Sequence, residues 1–399
     1  MSYEKKISIA SIWIDGGSNI DKKNKKGINQ ILSSLLIRGC EKYDNYTLSE
    51  YLESFAADLN CETHEDGILI NLISLEEYFN NIFPLLTKII EKPILSKEEF
   101  NNSKINAINN IIKSKENPFN IAYENWRKIV YLEHPYAFDV NGYIENINNI
   151  NYLDILDEYS NFKTRSKFLL SNYYKNNMKD IDLITNKILQ KEVIDYPLIM
   201  NRKKRNLIIN YQETNQLKLL LGNKTCSKKN NDFLPLKILE SYLSFGMSSK
   251  LFKLFREKYG LTYDVGVYFP NRKLESPFLI YLSVSEKNSL IAFKILLKLW
   301  KSILTNLLSD DELNLAKIKL NASILNSSQT VEEIINRKVQ LLGFGMNPNF
   351  EKNSIENIEN ISSKRILKTT KKYLEKPILS ICGKEKSVNI LKENWDINF

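Results

Sequence analysis

Arg256 and Tyr263 are the two residues whose types and spacing could do chemistry. A guanidinium and a phenol are both strong hydrogen-bond donors. Aimed at one point, they suit a carbonyl oxygen as it becomes an oxyanion. They stand seven positions apart within GMSSKLFKLFREKYGLTYDV, residues 246–265. Ser248 or Ser249 can cap a helix by accepting hydrogen bonds from the N–H groups of its first turn. Leu251, Leu254 and Phe255 recur at helical spacing and would face a core. Gly260 supplies the left-handed residue that stops a helix, and residues 261–265 are expected to run as a strand. Helix, glycine stop and strand together could turn both side chains into one cleft. The same letters also read as a surface arginine and a strand tyrosine with no common task.

The remaining candidates are sparse. Cys61 and His64 form a lone CxxH, and His134 is the only other histidine, so no metal site is expected in this chain. Cys40, Cys61, Cys226 and Cys382 are scattered without a CxxC, as in a reducing, cytoplasmic setting. The 399 residues are 43% hydrophobic and 26% charged, which suits two packed domains of ordinary size. The formal charge is +9, but the densest basic cluster, residues 202–205, is short and lacks interleaved aromatics. It reads as a solvated linker, and no nucleic-acid partner is expected. The opening MSYEKKISIASIWIDGG has no apolar core of signal-peptide length. No run approaches the roughly 18 apolar residues of a membrane span, so no membrane association is expected and the localisation read from the sequence is cytoplasmic.

The elements that must position these residues recur. Strands are expected at 7–14, 67–74, 167–174, 216–222, 278–284 and 377–382. Helices are expected from Gly27 to Gly39, from a Thr47–Glu50 capping box to about Asp58, at 75–91, from a Ser96–Glu99 capping box to about Lys115, after Asn117-Pro118, near 152–159 and at 180–191. In the second half they begin near 234, 249, 287, 309, 330 and 354. LSKEEFNNSK at 95–104 matches LSDDELNLAK at 308–317, each with a capping box and each after a strand and a long amphipathic helix. The helix ending at Gly39 pairs with that ending at Gly246, and the next helix pairs with 249–260. The chain therefore reads as two copies of one α+β unit, strands in a sheet and helices on one face, joined by the Pro-containing basic stretch 193–205.

The duplication, GMSSKLF and the Arg-x6-Tyr pair resemble the M16 metallopeptidases, the family of insulin-degrading enzyme, pitrilysin and the mitochondrial processing peptidases. The resemblance covers nearly the whole chain: GSNID at 17–21, the helix from Gly27 and residues 59–63 fall in family order. It implies the LuxS/MPP-like metallohydrolase fold, with domains at 1–195 and 206–399, each a mostly antiparallel sheet with helices on one face. The family's opening strand, before Ile7, is shortened or absent. Active members carry HxxEH on the helix that here starts at Gly27: two histidines bind zinc and the glutamate activates its water. Here those positions hold Gln30, Ser33 and Ser34, and the family's third ligand falls at Asn110. Glutamine, serine and neutral asparagine are poor zinc ligands, and no carboxylate base remains.

Bacterial two-subunit members divide the work in this way. One subunit has HxxEH without the Arg-Tyr pair; its partner has the pair without HxxEH, and the pair reaches the other's zinc site to hold substrate backbone and oxyanion. This chain matches the second pattern. The resemblance thus implies a non-catalytic subunit, inactive alone, that forms half of a peptide-enclosing chamber and acts in trans on unfolded peptides, with zinc only in an HxxEH partner of similar length. Asn60 and Thr63 match the family's N-A-x-T segment, an edge strand that binds extended peptide by β-augmentation; they also read as an ordinary turn-to-strand junction. The alternatives are a structural scaffold, as in the respiratory-complex core proteins that have lost the same motif, and a stand-alone peptide-binding homodimer.

Overall fold

A computed structural model describes residues 6–172, 206–326 and 329–396. They form two compact units. The first draws on 1–113, 138–197 and 327–350, the second on 114–137, 198–326 and 351–399. The expected helix at 180–191 and the linker at 193–205 lie outside the described residues.

In the first unit, β1 (Ile7–Asp15), β2 (Asp58–Thr63), β3 (Gly67–Leu75) and β4 (Lys167–Ser171) form an antiparallel sheet in the order β2-β3-β1-β4. Register puts Ile12 opposite Ile70 and Ile14 opposite Ile68. These side chains point to one face, because successive strand residues alternate. There they meet Leu32 and Leu35 of helix Ile28–Leu36, Ile89 of helix Pro84–Glu91 and Phe100 of helix Lys97–Ser114.

Trp13 and Leu69 point to the opposite face, where solvent-facing residues would be polar. They pack instead against Val339 and Phe344, at helix Val331–Gly343. Covering both faces explains why β1 is buried at every position after Ile7.

The second unit repeats the plan. Its strands are β5 (Leu207–Tyr211), β6 (Gln216–Lys224), β7 (Val265–Tyr268), β8 (Pro277–Ser285) and β9 (Ile378–Gly383), in the order β5-β9-β6-β8-β7. Leu219, Leu221, Ile280 and Ile381 pack with Leu236, Leu296 and Trp300 on one face. Helix Pro118–Tyr131 covers the other: Ser380 Oγ donates to the Ala122 carbonyl at 2.8 Å, and Phe119 meets Tyr281 edge-on at 5.5 Å. With β6, β7, β8 and β9 matched to β1, β2, β3 and β4, the strand orders are identical. The second sheet adds β5, parallel to β9.

The fold class read from the sequence is the one observed, α+β with mostly antiparallel sheets. The structure adds a helix on the second face of each sheet, and in each case a segment of the other half of the sequence supplies it. Boundaries differ at several elements, three of them near the residues singled out above. The helix expected from Thr47 to Asp58 is Asn45–Ser54, because Asp44 and not Thr47 is the capping residue: its Oδ1 accepts from the Thr47 N–H at 2.9 Å. Residues 58–63, given partly to that helix, are β2. The strand expected at 261–265 begins only at Val265.

Candidate functional site

Helix Ile28–Leu36 starts where Gly27 adopts φ +94° and its N–H donates to Asp21 Oδ2 at 2.7 Å. Asn29 Nδ2 donates to Asp21 Oδ1 at 2.6 Å, and Arg165 Nη1 donates to Asn29 Oδ1 at 2.8 Å. Burial pushes the Asp21 carboxyl up to about 7, although the bonds from Asn29 and Gly27 oppose the shift. This network fixes the helix on which Gln30, Ser33 and Ser34 stand.

The hydroxyls of Ser33 and Ser34 on this helix are both engaged. Ser33 is buried, with its hydroxyl 3.0 Å from the Gln30 carbonyl and 2.8 Å from Thr63 Oγ1. Ser34 Oγ lies 3.0 Å from the Ile31 carbonyl and 2.8 Å from Ser103 Oγ. Burial drives the Cys61 thiol well above its ordinary range beside Ser33, so it offers no thiolate. The structure thus brings Ser33 to Thr63 and Ser34 to Ser103. Asn110 is exposed, two turns beyond Ser103 on helix Lys97–Ser114, and Ser103 makes the contact to Ser34. Neutral hydroxyls tied to backbone carbonyls hold no base and do not fit zinc. Among the described residues, no three His, Cys, Asp or Glu side chains are grouped to hold a metal.

Asn60 and Thr63 both lie on β2, an edge strand. Alternation puts them on opposite faces. Thr63 faces Ser33, whereas Asn60 carries a buried Oδ1 without a hydrogen-bond partner.

In the second unit, Arg256 belongs to a π-helical stretch, Phe252–Lys258. The Tyr259 N–H reaches five residues back to the Leu254 carbonyl, at 3.3 Å, so the turn is one residue wider than an α-helix. No side-chain cap opens it, contrary to the serine cap expected; Ser249 is buried and its backbone carbonyl takes the Lys253 N–H at 3.0 Å. Leu251 and Phe255 anchor the inner face at 0% exposure. Gly260, at φ +58°, ends it as expected, and the Leu261 N–H closes onto the Phe255 carbonyl at 2.7 Å.

Tyr263 sits on the bend before β7, at 88% exposure, not inside a strand. Both neighbours are pinned. Thr262 bonds the Ser283 carbonyl, and Asp264 accepts from Lys218 and, at 3.0 Å, from Ser283 Oγ. The Arg256 guanidinium lies 5.5 Å from the Tyr263 ring centroid and 4.9 Å from that of Phe252. Cation–π attraction of this kind contributes roughly 0.5–1 kcal/mol at an exposed site. Among the described residues no protein acceptor takes the guanidinium N–H groups or the phenol O–H. Sequence reading missed Phe252; its spacing of four from Arg256 was the available signal. Thr262 and Asp264 were also missed, since nothing local shows that their partners lie on β6 and β8.

Residues 2–140 match the family model described as Insulinase (Peptidase family M16), and residues 169–320 match the one described as Peptidase M16 inactive domain. The chain belongs to peptidase family M16. This M16 chain is 23% identical over 373 residues to an uncharacterized zinc protease of Rickettsia felis, spanning 89% of this chain and 87% of the relative. It is 21% identical over 366 residues to the non-peptidase homolog YmxG of Helicobacter pylori, spanning 90% and 84%. Its fold matches the crystal structure of a peptidase M16 inactive domain from Pseudomonas fluorescens, with TM-score 0.86 and 18% identity over 96% of this chain and 93% of that one. In this M16 chain helix Ile28–Leu36 carries engaged serine hydroxyls, and Arg256 and Tyr263 stand exposed on a braced turn.

Proposed function

We propose that this chain is the non-catalytic subunit of a heterodimeric M16-type zinc peptidase. It forms half of a peptide-enclosing chamber and supplies Arg256 and Tyr263 to a partner that carries HxxEH. The observation that carries the reading is the Arg256–Tyr263 contact: two donors share one exposed spot, braced by Phe252, Thr262 and Asp264, with no protein acceptor of their own among the described residues. The tied-off serines on helix Ile28–Leu36 agree with it. So does the name of the Helicobacter relative, a non-peptidase homolog. The edge position of β2 leaves one ladder of backbone groups for an extended peptide.

In this reading the partner's HxxEH residues would hold a zinc ion, which would supply Lewis-acid chemistry at the scissile carbonyl. The guanidinium and phenol of this chain hold the substrate backbone and the oxygen that gains charge. The test is turnover of an unstructured peptide by this chain mixed with an HxxEH partner. Arg256→Ala and Tyr263→Phe should each lower turnover on the order of 10²-fold, with the complex intact on gel filtration. Tyr263→Phe keeps the ring over which the guanidinium lies, so it isolates the hydroxyl as donor. Gln30→Ala should leave turnover unchanged. Full turnover in both pair variants, with assembly intact, would favour the structural-scaffold role.

A further inference from the structure

Away from the pair, the second unit holds a cleft of about 490 Å³ lined by Asn231, Asp232, Arg365, Lys368, Thr369 and Lys372. One wall is the start of helix Phe233–Ser244 and the other is helix Ser363–Leu374. Arg365, Lys368, Thr369 and Lys372 recur every three or four residues, which stacks them on one helical stripe. Three cations face one carboxylate. Asp232 precedes the first helix but does not cap it; its carboxylate accepts from Arg365, from Lys372 Nζ at 2.6 Å and from the Tyr373 hydroxyl at 3.0 Å. Two positive charges remain in surplus. Lys368 is exposed and has no carboxylate partner among the described residues.

The cleft also holds an unmet donor. Thr369 is 1% exposed, and its hydroxyl finds no hydrogen-bond partner. Its neighbour Thr370 shows the ordinary alternative, donating back to the Ile366 carbonyl at 2.8 Å. A buried hydroxyl left without a partner is costly, and this one belongs to a residue of the cleft's lining. The start of helix Phe233–Ser244 adds little of its own, because Pro235 in its first turn has no N–H. Recognition therefore falls to side chains.

We propose that this cleft binds a small phosphomonoester. A dianion matches the charge surplus, and its oxygens can take Lys368, the remaining guanidinium N–H groups of Arg365 and the Thr369 hydroxyl. A monocarboxylate would leave half the surplus unmatched. The cleft is much larger than one tetrahedral oxyanion and leaves room for the group that carries the phosphate.

Calorimetric titration of the full chain at low ionic strength tests this, with AMP, inorganic phosphate and acetate as probes. AMP should bind saturably at one site per chain, inorganic phosphate should compete more weakly, and acetate should not compete. Lys368→Ala should weaken AMP binding roughly tenfold, the scale of a lost charge-assisted hydrogen bond. Thr369→Val, which removes the hydroxyl and keeps the shape, should weaken it by about fivefold, and Arg256→Ala should change nothing. Non-saturating heats for both phosphates, AMP binding by Lys368→Ala as tight as by the unaltered chain, or binding of inorganic phosphate with AMP excluded would each overturn the assignment.

Discussion

A guanidinium that lies against two rings has given up rotamer freedom before any ligand arrives. Arg256 is in that position between Phe252 and Tyr263, and the cost of ordering it is met by the fold. Ser33 and Ser34 have gone the other way, spending their hydroxyls on helix carbonyls and on Thr63 and Ser103. Metal analysis after dialysis against trace zinc should accordingly find no stoichiometric zinc on the isolated chain, and one tightly held zinc per chain would contradict that. Asp21 allows a second prediction. Burial raises its carboxyl to about 7 from an ordinary 3.8, so between those values the folded chain binds a proton that the unfolded chain has released. That contribution is complete below pH 3.8 and is lost as pH rises through about 7. In denaturant titrations from pH 5 to 8, the unaltered chain should lose stability relative to Asp21→Asn as pH rises; parallel profiles would refute it.

Elements show what was legible in the letters. The capped starts at Ser96 and Ser309 were readable because capping is settled within three residues, and both bonds are present. Gly260 was readable for the same reason. The wide turn at Phe252–Lys258 was not, since its apolar residues fit ordinary helical spacing and the insertion shows only in the hydrogen bonds. β5 was missed because five residues beside a basic cluster carry little periodicity. The covering of each sheet's second face was also hidden: a sequence records that Trp13 is apolar, not which segment will lie on it. At the candidate site, the substitutions at Gln30, Ser33 and Ser34 were visible by position, but Ser103 as the partner of Ser34 depends on how two helices pack. That packing extends to glycine. A Cβ on Gly343 would fall 2.0 Å from Trp13 Cδ1, so Gly343→Ala should destabilise the chain by roughly 1–3 kcal/mol, the usual cost of overpacking. A denaturation midpoint unchanged from the unaltered chain would show that Trp13 can move aside.

At the scale of the whole molecule, chain halves and compact units do not coincide. Residues 114–137 belong with the second unit and 327–350 with the first. Limited proteolysis should cut first in the Pro-containing basic stretch 193–205. The two fragments should nevertheless elute together under native conditions, because each unit keeps a segment of the other fragment. Separation of intact fragments on gel filtration without denaturant would contradict that. The same exchange sets a clock on synthesis. Ser11 bonds Asn336, made 325 residues later. At 5–20 residues per second the ribosome takes roughly 16–65 s to cover that interval. Once β4 has been made, at Ser171, the first sheet can form only with Trp13 and Leu69 bare on one face until helix Val331–Gly343 follows. The earliest part of the protein to be translated thus waits for one of the later helices before it can close, and a nascent chain stalled before residue 331 presents the cell with a half-covered sheet.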